Sequence, residues 1–487
     1  MSKLPADCLS EIFKYFEEDQ ITLHSCLLVN RLWCEISVKL LWRDVWDYST
    51  SNYDTLIACL PNESKEILYN NGIMVSTSNS KLPAFNYASF CKILSIDRIY
   101  NKVEQLLLKS KKYIIPRDLD DKTFIVAREI FKLFMTQIPS LMELDFYKNT
   151  SKVILTTYPG ANDCLKNLSK LNCSSDISSE FFYQLSQICH NIQSLNITFE
   201  KVNSDGLSNL ISVQKNLKCL GLKQQAQYRG DNKVNDIIPL LTSKHYDTLI
   251  KLNLSGNYDV SLLFVAKFKN LQELELSFDY YDFEDFERLQ YVTFPNLQIL
   301  KIPFIFVSYE LLITFLKNNG NNLREFYIGD GEGNYSDNSL NLVIAKFCPK
   351  LRKLSTGFKN DEIETLQMIL KSCIYLESIK IWCGGEYLSE KEALESVVKY
   401  SHENLCEIIL YHQYYTQSEL LPDELESFFT NWIHRKPKSI SLIIIKDESF
   451  SFSLDTDEKN MEIIKRYIKL GIVNKFKVAY YEDDDYN

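Results

Sequence analysis

The sequence predicts an α/β fold in which a long array of strand–helix repeats follows a small all-α module. Three observations support this. One short apolar motif recurs about a dozen times after residue 140, helical patterns separate its copies, and the first 46 residues are helical in pattern without the motif. The chain has 487 residues, enough for about three ordinary domains unless a repeat array holds most of it.

Composition fits a folded chain and narrows its function. Apolar residues make up 45% of the sequence and charged residues 24%, which is typical of globular proteins. The 54 basic and 64 acidic residues give a net charge of -10. This balance disfavours a nucleic-acid partner, because phosphate binding needs a basic surface.

Targeting signals and cysteine spacing bear on the expected compartment of the protein and on whether it holds a metal or disulfides. No secretory signal stands at the first residues, and no run of about 18 apolar residues occurs. We therefore expect no membrane partner and a cytoplasmic and/or nuclear protein. The thirteen cysteines form no C-x-x-C pair, which excludes a zinc-ribbon site and disfavours a disulfide framework. We expect reduced, mostly buried thiols and no metal or other cofactor.

The first 46 residues predict at least two short helices. The stretch "LPADCLSEIFKYF" places Leu9, Ile12 and Phe13 at helical spacing, and Pro5 suits a helix entrance. The stretch "SCLLVNRLWCEISVKLLW" continues this pattern, and three of the five tryptophans lie within residues 31–46. So small a bundle has more apolar side chains than it can bury, which indicates a partner.

Residues 47–102 match neither pattern and predict a packed helical connector. Two apolar stretches, "YDTLIACLPNESKEILYNNGI" and "AFNYASFCKILSID", predict short helices separated by the polar "VSTSNSK". The segment is too apolar to be disordered. The first strand of the array is predicted in "VEQLLL", which begins at Val103.

The array itself is defined by the motif LxxLxL, whose alternating apolar residues predict a short strand with one buried face. Because one such strand cannot bury its apolar row, about three or more copies must stack. Helical stretches such as "ELLITFLKN" separate the copies, so the pattern predicts a leucine-rich-repeat solenoid, or horseshoe, over residues 103–479. The copies start at Leu141, Leu168, Ile192, Leu217, Leu249, Leu271, Leu297, Leu323, Leu351, Leu376 and Leu405, with a degenerate copy in "PKSISL".

The positions of three cysteines indicate the class of repeat more closely. Cys189, Cys348 and Cys373 each stand three residues before the first apolar anchor of a strand. This spacing resembles the cysteine-containing class of leucine-rich repeats, in which a small buried residue ends the helix. We therefore expect these cysteines to have a packing role.

The N-terminal module resembles the F-box. The ordered residues that carry the resemblance are Leu4-Pro5, Leu9, Ile12-Phe13, Cys26 to Arg31, Trp33 and Leu40 to Trp42. An F-box followed by leucine-rich repeats is the layout of substrate receptors in SCF (Skp–cullin–F-box) ubiquitin ligases. The resemblance implies a Skp-type adaptor as partner and, through it, cullin and RING subunits.

The same resemblance implies an adaptor-binding face. Its candidate residues are Leu4, Pro5, Leu9, Ile12, Phe13, Leu27, Val29 and Trp33, with Trp42 at the edge. An alternative is that these residues cap the first repeat, and both roles remain open for Trp42 and Trp46. A second alternative is a repeat scaffold that binds partners without any ligase.

A target protein would bind the variable strand positions, which form columns on the concave face of the horseshoe. The middle column is mostly polar, and aromatic residues stand beside it, as is typical of interface anchors. The loop "SFDYYDFEDFERL" alternates acidic and aromatic residues and could receive a basic peptide, although a solvated loop is the simpler interpretation. The candidate target-binding residues are Tyr147, Glu275, Tyr280, Tyr281, Tyr327, Lys380, Trp382 and Tyr411.

No catalytic motif stands out. The six histidines form no H-E-x-x-H, and the chain has no G-x-S-x-G. The stretch "GDGEGN", residues 329–334, lacks a phosphate-loop lysine and is expected to be an inter-repeat loop. The tail 480–487 predicts an acidic end. The chain is therefore expected to be a non-catalytic subunit; an enzyme, or a receptor with a small ligand in the concave face, are the alternatives.

Overall fold

The computed structural model describes residues 4–17, 19–73, 83–109, 118–147, 154–200, 205–224, 234–256, 261–278, 286–303, 308–329, 337–413, 416–435, 438–447 and 454–481. The chain forms two compact units, Met1–Leu220 and Gly221–Asn487. Short parallel strands alternate with helices through both units, as the repeat pattern predicts. The fold is a leucine-rich-repeat solenoid preceded by a small all-α module.

The first unit contains the all-α module and the first repeats. Its helices are α1 Ala6–Lys14, α2 Gln20–Cys26, α3 Arg31–Leu41, α4 Thr50–Ala58, α5 Asn62–Asn70, α6 Ile96–Lys109, α7 Leu119–Gln137, α8 Ala161–Leu165, α9 Ser179–Ile188 and α10 Asp205–Val213. Its strands are β1 Ile93–Ser95, β2 Glu143–Phe146, β3 Lys170–Ser174 and β4 Ser194–Phe199, while β5 Cys219–Gln224 crosses the division.

The second unit continues the repeats. Its helices are α11 Val234–Lys244, α12 Phe286–Leu289, α13 Tyr309–Asn319, α14 Asn338–Phe347, α15 Ile363–Ser372, α16 Glu390–Tyr400, α17 Pro422–Arg435 and α18 Glu458–Lys469. Its strands are β6 Lys251–Gly256, β7 Glu273–Ser277, β8 Ile299–Ile302, β9 Glu325–Ile328, β10 Lys353–Gly357, β11 Ser378–Cys383, β12 Glu407–His412, β13 Ile440–Lys446 and β14 Val473–Tyr480.

Strand register follows the motif. The central leucine of each LxxLxL lies opposite that of the next copy, as for Leu144, Leu171 and Leu195, and all three are fully buried. Neighbouring strands are consecutive in the chain, so each intervening segment crosses over to an adjacent parallel strand. Parallel stacking therefore buries a continuous apolar row that no single strand could bury.

The repeat cysteines have the expected packing role. Cys189, Cys348 and Cys373 are fully buried, and the Cys189 thiol donates to the Leu165 carbonyl oxygen at 3.1 Å. The Cys373 thiol donates likewise to the carbonyl oxygen of Cys348 at 3.5 Å. Burial raises the pKa of Cys189 to about 12 and that of Cys373 to about 11, so both remain neutral thiols at physiological pH.

Two boundaries differ from the sequence prediction. Val103 lies in α6, whose buried residues Ile96, Ile99, Val103 and Leu107 recur every three or four positions, as a helix face requires. The first strand is instead β1, inside the predicted connector. At the other end, Tyr480 belongs to β14 and Tyr481 is buried, while residues 482–487 of the predicted acidic tail lie outside the described residues.

Among the described helices, none has both the length and the apolar character needed to cross a membrane.

Candidate functional site

The all-α module leaves a set of apolar side chains uncovered. Asp19 caps α2 by accepting the Thr22 N–H, and Asn30 caps α3 by accepting the Trp33 N–H, so Leu27 to Val29 form the turn between these helices. Leu28 in this turn is 89% exposed. Within the described residues of α1–α3 and their connections, positions 4–41, the large exposed apolar residues are Leu4, Ile12, Tyr15, Ile21, Leu28 and Val29.

Only part of the predicted adaptor-binding set lies on this surface. Leu4, Pro5, Ile12 and Val29 are exposed, and Leu27 and Trp33 are half-buried. The prediction omitted Tyr15, Ile21 and Leu28, which are at least 82% exposed. The sequence offered a signal for Leu28, since it stands directly before a helix-capping asparagine, where the chain turns away from the core.

Leu9 and Phe13 belong to the module's core, which corrects the expectation that they lie on the adaptor-binding face. Both pack with Cys26 and Ile36, and only 1% of Phe13 is exposed. The Phe13 ring meets the Trp33 ring edge to face, with 5.0 Å between centroids. The small bundle uses these rings to hold three helices together.

Trp42 is also buried, which corrects its predicted place at the edge of the adaptor face. Its ring lies 5.0 Å from the Tyr48 ring and 4.5 Å from the Tyr87 ring, and the Tyr48 hydroxyl donates to the Trp42 carbonyl oxygen at 2.7 Å. Trp42 therefore ties the end of α3 to the segment that follows. This is the capping role that the sequence left open for it.

Trp46 forms the junction between the module and the first strands. Its indole N–H donates to Asp145 Oδ2 in β2 at 2.8 Å. The Arg98 guanidinium lies 5.5 Å from the centre of the Trp46 ring and donates to the Trp46 carbonyl oxygen at 3.0 Å. The Arg43 carbonyl oxygen accepts the N–H groups of Lys92 and Ile93, so the chain after α3 lies along β1.

Carboxylates gather around this junction. Burial raises the pKa of Asp44 to about 6, and the nearby charges of Asp47, Glu143 and Asp145 raise it further. The side-chain amide of Asn172 donates to Asp145 Oδ1 at 2.6 Å. These contacts account for the polar middle column of β2 and β3.

Tyr147 lies beside this polar column and is 39% exposed. Its backbone N–H donates to Asp97 Oδ2 at 2.8 Å. Partial burial, helped by Asp145 and other negative groups, raises the pKa of the Tyr147 phenol to about 12, so the hydroxyl stays protonated and can donate. Its role in target binding remains a prediction.

The variable face, defined here as the strand face opposite the buried leucines, has the columns that the sequence predicts. In the second unit, register aligns Asn253, Glu275, Lys301, Tyr327, Ser355, Lys380 and Ile409. Glu275 is half-buried, and the Lys301 ammonium lies 5.3 Å from the centre of the Tyr327 ring. Glu275 therefore keeps its predicted position on an accessible part of this face.

Four other predicted target-binding residues are buried, which corrects the expectation of exposed anchors. Tyr327, Lys380, Trp382 and Tyr411 are 2–7% exposed. Trp382 and Tyr411 belong to an apolar cluster on the variable face that also contains Tyr387, Ile409, Ile445, Ala479 and Tyr481. The predicted Tyr280 and Tyr281 lie outside the described residues.

Two later segments cover these strands. Tyr387 follows β11 and meets the Trp382 ring edge to face at 5.3 Å, and the Tyr481 ring lies 5.1 Å from the Tyr411 ring. The Lys380 ammonium lies 4.5 Å from the centre of the Tyr411 ring. The variable face of β11–β13 is thus filled by the chain's own aromatic residues.

The packing of Trp382 also explains why positions 329 and 357 are glycine. A Cβ at Gly329 or Gly357 would collide with the Trp382 indole, and at Gly357 it would also lie 2.6 Å from a Tyr387 ring carbon. The indole therefore requires residues without a Cβ atom at the carboxyl end of β10 and directly after β9. Gly329, at the start of "GDGEGN", has this packing role, while residues 330–336 lie outside the described residues.

A polar cavity of about 700 Å³ lies at the carboxyl ends of β11 and β12, and sequence reasoning missed it. Cys383 and His412, the last residues of these strands, line it together with Glu390 at the start of α16. The His412 Nε2 atom lies 3.0 Å from Glu390 Oε1, and both residues are at most 5% exposed. The two residues lie 22 positions apart in the chain, and no local spacing pattern predicts that they pair.

The buried Glu390 carboxylate is enclosed by donors. The Ser418 hydroxyl donates to it at 2.7 Å, and the N–H groups of Glu419 and Leu420 donate at 3.0 and 3.1 Å. These bonds anchor the segment that leads to α17. They compensate for the desolvation of the carboxylate, which would otherwise be costly.

Burial disfavours the thiolate form of Cys383 in this arrangement. Full burial raises the pKa of its thiol well above the ordinary value, and the negative charge of Glu390 adds to this. The thiol donates to the Ile381 carbonyl oxygen at 3.7 Å. The Cys383–His412–Glu390 grouping therefore keeps a neutral thiol rather than an activated thiolate.

No protein-family model matches the sequence, and no curated protein matches it. Among solved structures, the chain is similar to a Rad7 and Elc1 complex from yeast, with 15% identity and a TM-score of 0.40 over 93% of this chain and 96% of that chain. It is also similar to the leucine-rich repeat-containing protein LegL7 from Legionella pneumophila, with 14% identity and a TM-score of 0.35 over 69% and 93% of the two chains. TM-scores this low do not transfer a function, and the fold follows from the strand pairing.

Proposed function

We propose that this chain is the substrate-recognition subunit of an SCF-type ubiquitin ligase. Its N-terminal module would bind a Skp-type adaptor, and its repeats would bind a target protein. One observation carries the proposal. The folded module leaves apolar side chains exposed in residues 4–29, in a segment whose order of residues resembles the F-box.

The exposure of these apolar side chains distinguishes this surface from a helical cap on the first repeat. A cap would cover the first strand with its apolar residues, as Trp42 and Trp46 do at the junction. Ile21, Leu28 and Val29 are instead 56–89% exposed. Burying them against a partner would remove apolar surface from water, which favours binding.

The proposed role requires no chemistry from this chain. Other ligase subunits would transfer ubiquitin, and the receptor would raise the effective concentration of the target near them. The junction suits this task, because Trp46, Asp145 and Arg98 connect the module to the first strands through hydrogen bonds and ring contacts. A rigid connection would fix the position of a target bound near β2 relative to the adaptor.

Target binding would use the accessible part of the variable face. Tyr147 and Glu275 are partly exposed there, whereas Trp382, Tyr411 and Tyr481 are buried together on the face of β11–β13. The target is therefore expected to contact the polar columns and Tyr147 rather than the buried aromatic residues of β11–β13.

The test measures binding of the full chain to a purified Skp-type adaptor. The variant Leu28→Asp, Val29→Asp changes only exposed side chains, so it should fold normally. We expect it to bind about 30-fold more weakly than the wild type, equivalent to roughly 2 kcal/mol for the loss of a central apolar contact.

The matched control is Ile468→Asp, Leu470→Asp, which alters two neighbouring apolar residues that are 43% and 63% exposed near the end of α18. It should bind the adaptor like the wild type. Absence of binding by the folded wild type would overturn the proposal and leave a ligase-independent repeat scaffold. Equal weakening in both variants would show a nonspecific effect of added charge.

A further inference from the structure

The last strand of the sheet, β14, has one edge without a strand partner among the described residues. It pairs with β13 and ends the strand order. At the opposite end of that order, the Arg43 carbonyl oxygen accepts the N–H groups of Lys92 and Ile93, so the chain after α3 lies against β1. A free edge presents a row of backbone N–H and C=O groups. β14 can therefore accept a further strand.

The row of buried strand side chains is also incomplete at β14. Phe476 lies opposite Leu442 of β13 in the strand register. Val478 lies likewise opposite Ile444. The two β13 residues are fully buried, whereas Phe476 and Val478 are only half-buried. Apolar surface therefore remains at this end of the array, and a further strand would cover it.

The charge changes sign along this edge. Lys475 and Lys477 are exposed, lie opposite variable-face positions of β13, and have no ion-pair partner in the part of the chain that the structure describes. The residues directly after Tyr481 have the acidic sequence EDDD, at positions 482–485. The segment 475–485 is thus basic in its first half and acidic in its second. Two copies of it in antiparallel alignment place opposite charges side by side.

The acidic run of the same molecule cannot pair with both lysines along the strand. A hairpin with the shortest common turn, two residues after Tyr481, would place Asp485 opposite Tyr480. Lys475 would then lie five positions farther along β14, about 17 Å away, which exceeds the reach of a lysine side chain. The charge pattern therefore favours a second copy of the chain over an internal contact.

We propose that two copies of this chain dimerise through antiparallel pairing of their β14 edges, with Lys475 and Lys477 of each copy beside the acidic run 482–485 of the other. The contact is the same from both sides, so it closes at two copies and leaves neither β14 edge free. It also covers Phe476 and Val478. It requires neither an adaptor nor a target protein.

One strand register brings the charged residues together. With Ala479 opposite the same residue of the other copy, Lys475 lies opposite Asp483. Lys477 and Asp485 then take diagonal positions to this pair, which long side chains reach. All these positions have odd numbers and share one face, while the half-buried apolar positions have even numbers and share the other.

The experiment measures self-association of the full chain by sedimentation velocity at concentrations up to about 100 μM, which covers dimers of micromolar affinity. The strand variant is Lys475→Glu, Lys477→Glu, and the tail variant is Asp483→Lys, Asp485→Lys. Each variant alone should associate at least about tenfold more weakly than the wild type, because its charges become alike across the interface. A wild type that stays monomeric at every concentration overturns the proposal.

Mixing the two variants gives the decisive result. In a mixed dimer, the reversed lysines of one copy meet the reversed tail of the other, and the unchanged lysines meet an unchanged tail. The mixture should therefore associate within about threefold of the wild-type affinity. No recovery in the mixture contradicts antiparallel pairing of these segments.

The matched control is Lys267→Glu, Lys269→Glu, which reverses two exposed lysines at the same spacing away from β14. It should associate like the wild type, and equal weakening would assign the effect to net charge. If the strand variant unfolds by circular dichroism, the tail variant against this control still decides. Adaptor binding is measured on the same samples, so a failure of the ligase role is distinguished from a failure of dimerisation.

Discussion

The all-α module and the variable face of β11–β13 are both rich in aromatic and apolar residues, yet only one of them presents these residues to solvent. In the module, Leu28 and Val29 are 89% and 56% exposed. On the strand face, Trp382 and Tyr411 are 2% and 3% exposed. The difference lies in whether a later segment of the chain returns to cover the surface.

This comparison teaches that residue type alone does not identify a binding surface in a repeat protein. The strand positions of Trp382 and Tyr411 belong to the face that such proteins leave open. Tyr387 and Tyr481 close it, and Tyr481 lies 70 positions after Tyr411 in the chain. A surface intended for a partner must remain uncovered after folding is complete.

The largest expected effect tests the covered region. Trp382→Ala should lower the free energy of unfolding by about 4 kcal/mol, because it empties a buried site enclosed by Gly329, Gly357 and Tyr387. Urea denaturation followed by circular dichroism measures this. Leu28→Ala, at an exposed position, should change the same quantity by less than about 0.5 kcal/mol. Similar losses in both variants would mean that the two regions do not differ as described.

The next prediction divides the module into core and surface. Phe13→Ala should cost about 3 kcal/mol, since its ring packs inside the three-helix cluster, whereas Ile12→Ala in the same helix should cost less than about 1 kcal/mol. Hydrogen exchange of the backbone amides in α1–α3 measures this loss of stability within the module. Under the proposed function, both variants weaken adaptor binding, but only Phe13→Ala does so with faster exchange.

A smaller effect tests the fit between Trp382 and the bare backbone beneath it. Gly357→Ala should destabilise the fold by about 2 kcal/mol, because the added Cβ collides with the indole. Combining Gly357→Ala with Trp382→Ala should reduce this penalty without abolishing it, since the indole is gone but a Tyr387 ring carbon still lies 2.6 Å from the added Cβ. Urea denaturation of all four proteins gives the coupling energy. Strict additivity would contradict direct packing of the indole on Gly357.

The sequence predicted the repeats better than the surfaces. The strand registers and the buried cysteines follow from a motif with a fixed local spacing, so Leu144, Leu171 and Leu195 could be aligned from the chain alone. Closure of the face around Trp382 depends on Tyr481, and the cavity depends on the pairing of Glu390 with His412. Neither contact has a periodic signal, because each arises only after the strands have stacked.

The error at Val103 has a different cause. The apolar spacing of "VEQLLL" fits both a strand and a helix. The helical spacing of the buried residues begins at Ile96, and this longer pattern favours the helix. In the module, the ordered resemblance located the segment but not the side of each helix that faces solvent. Leu9 and Phe13 therefore had to be reassigned from the surface to the core once the packing was known.

The smallest expected effect lies at the end of the module, where Asp44 is partly buried and forms no ion pair with any residue that the structure describes. Its pKa is raised from 3.8 to about 6, so the protonated carboxyl stabilises the fold fully below pH 3.8, and this contribution is lost as pH rises through 6. Asp44→Asn can still accept the Trp46 N–H, which donates to Asp44 at 2.8 Å. At pH 7 it should be more stable than the wild type by about 1 kcal/mol, after allowance for solvent screening of a half-buried group. Urea denaturation at pH 4 and 7 measures this, with the exposed Asp163→Asn as a control that should show little change at pH 7. An equal gain at both pH values would place the effect in packing rather than in the charge of Asp44.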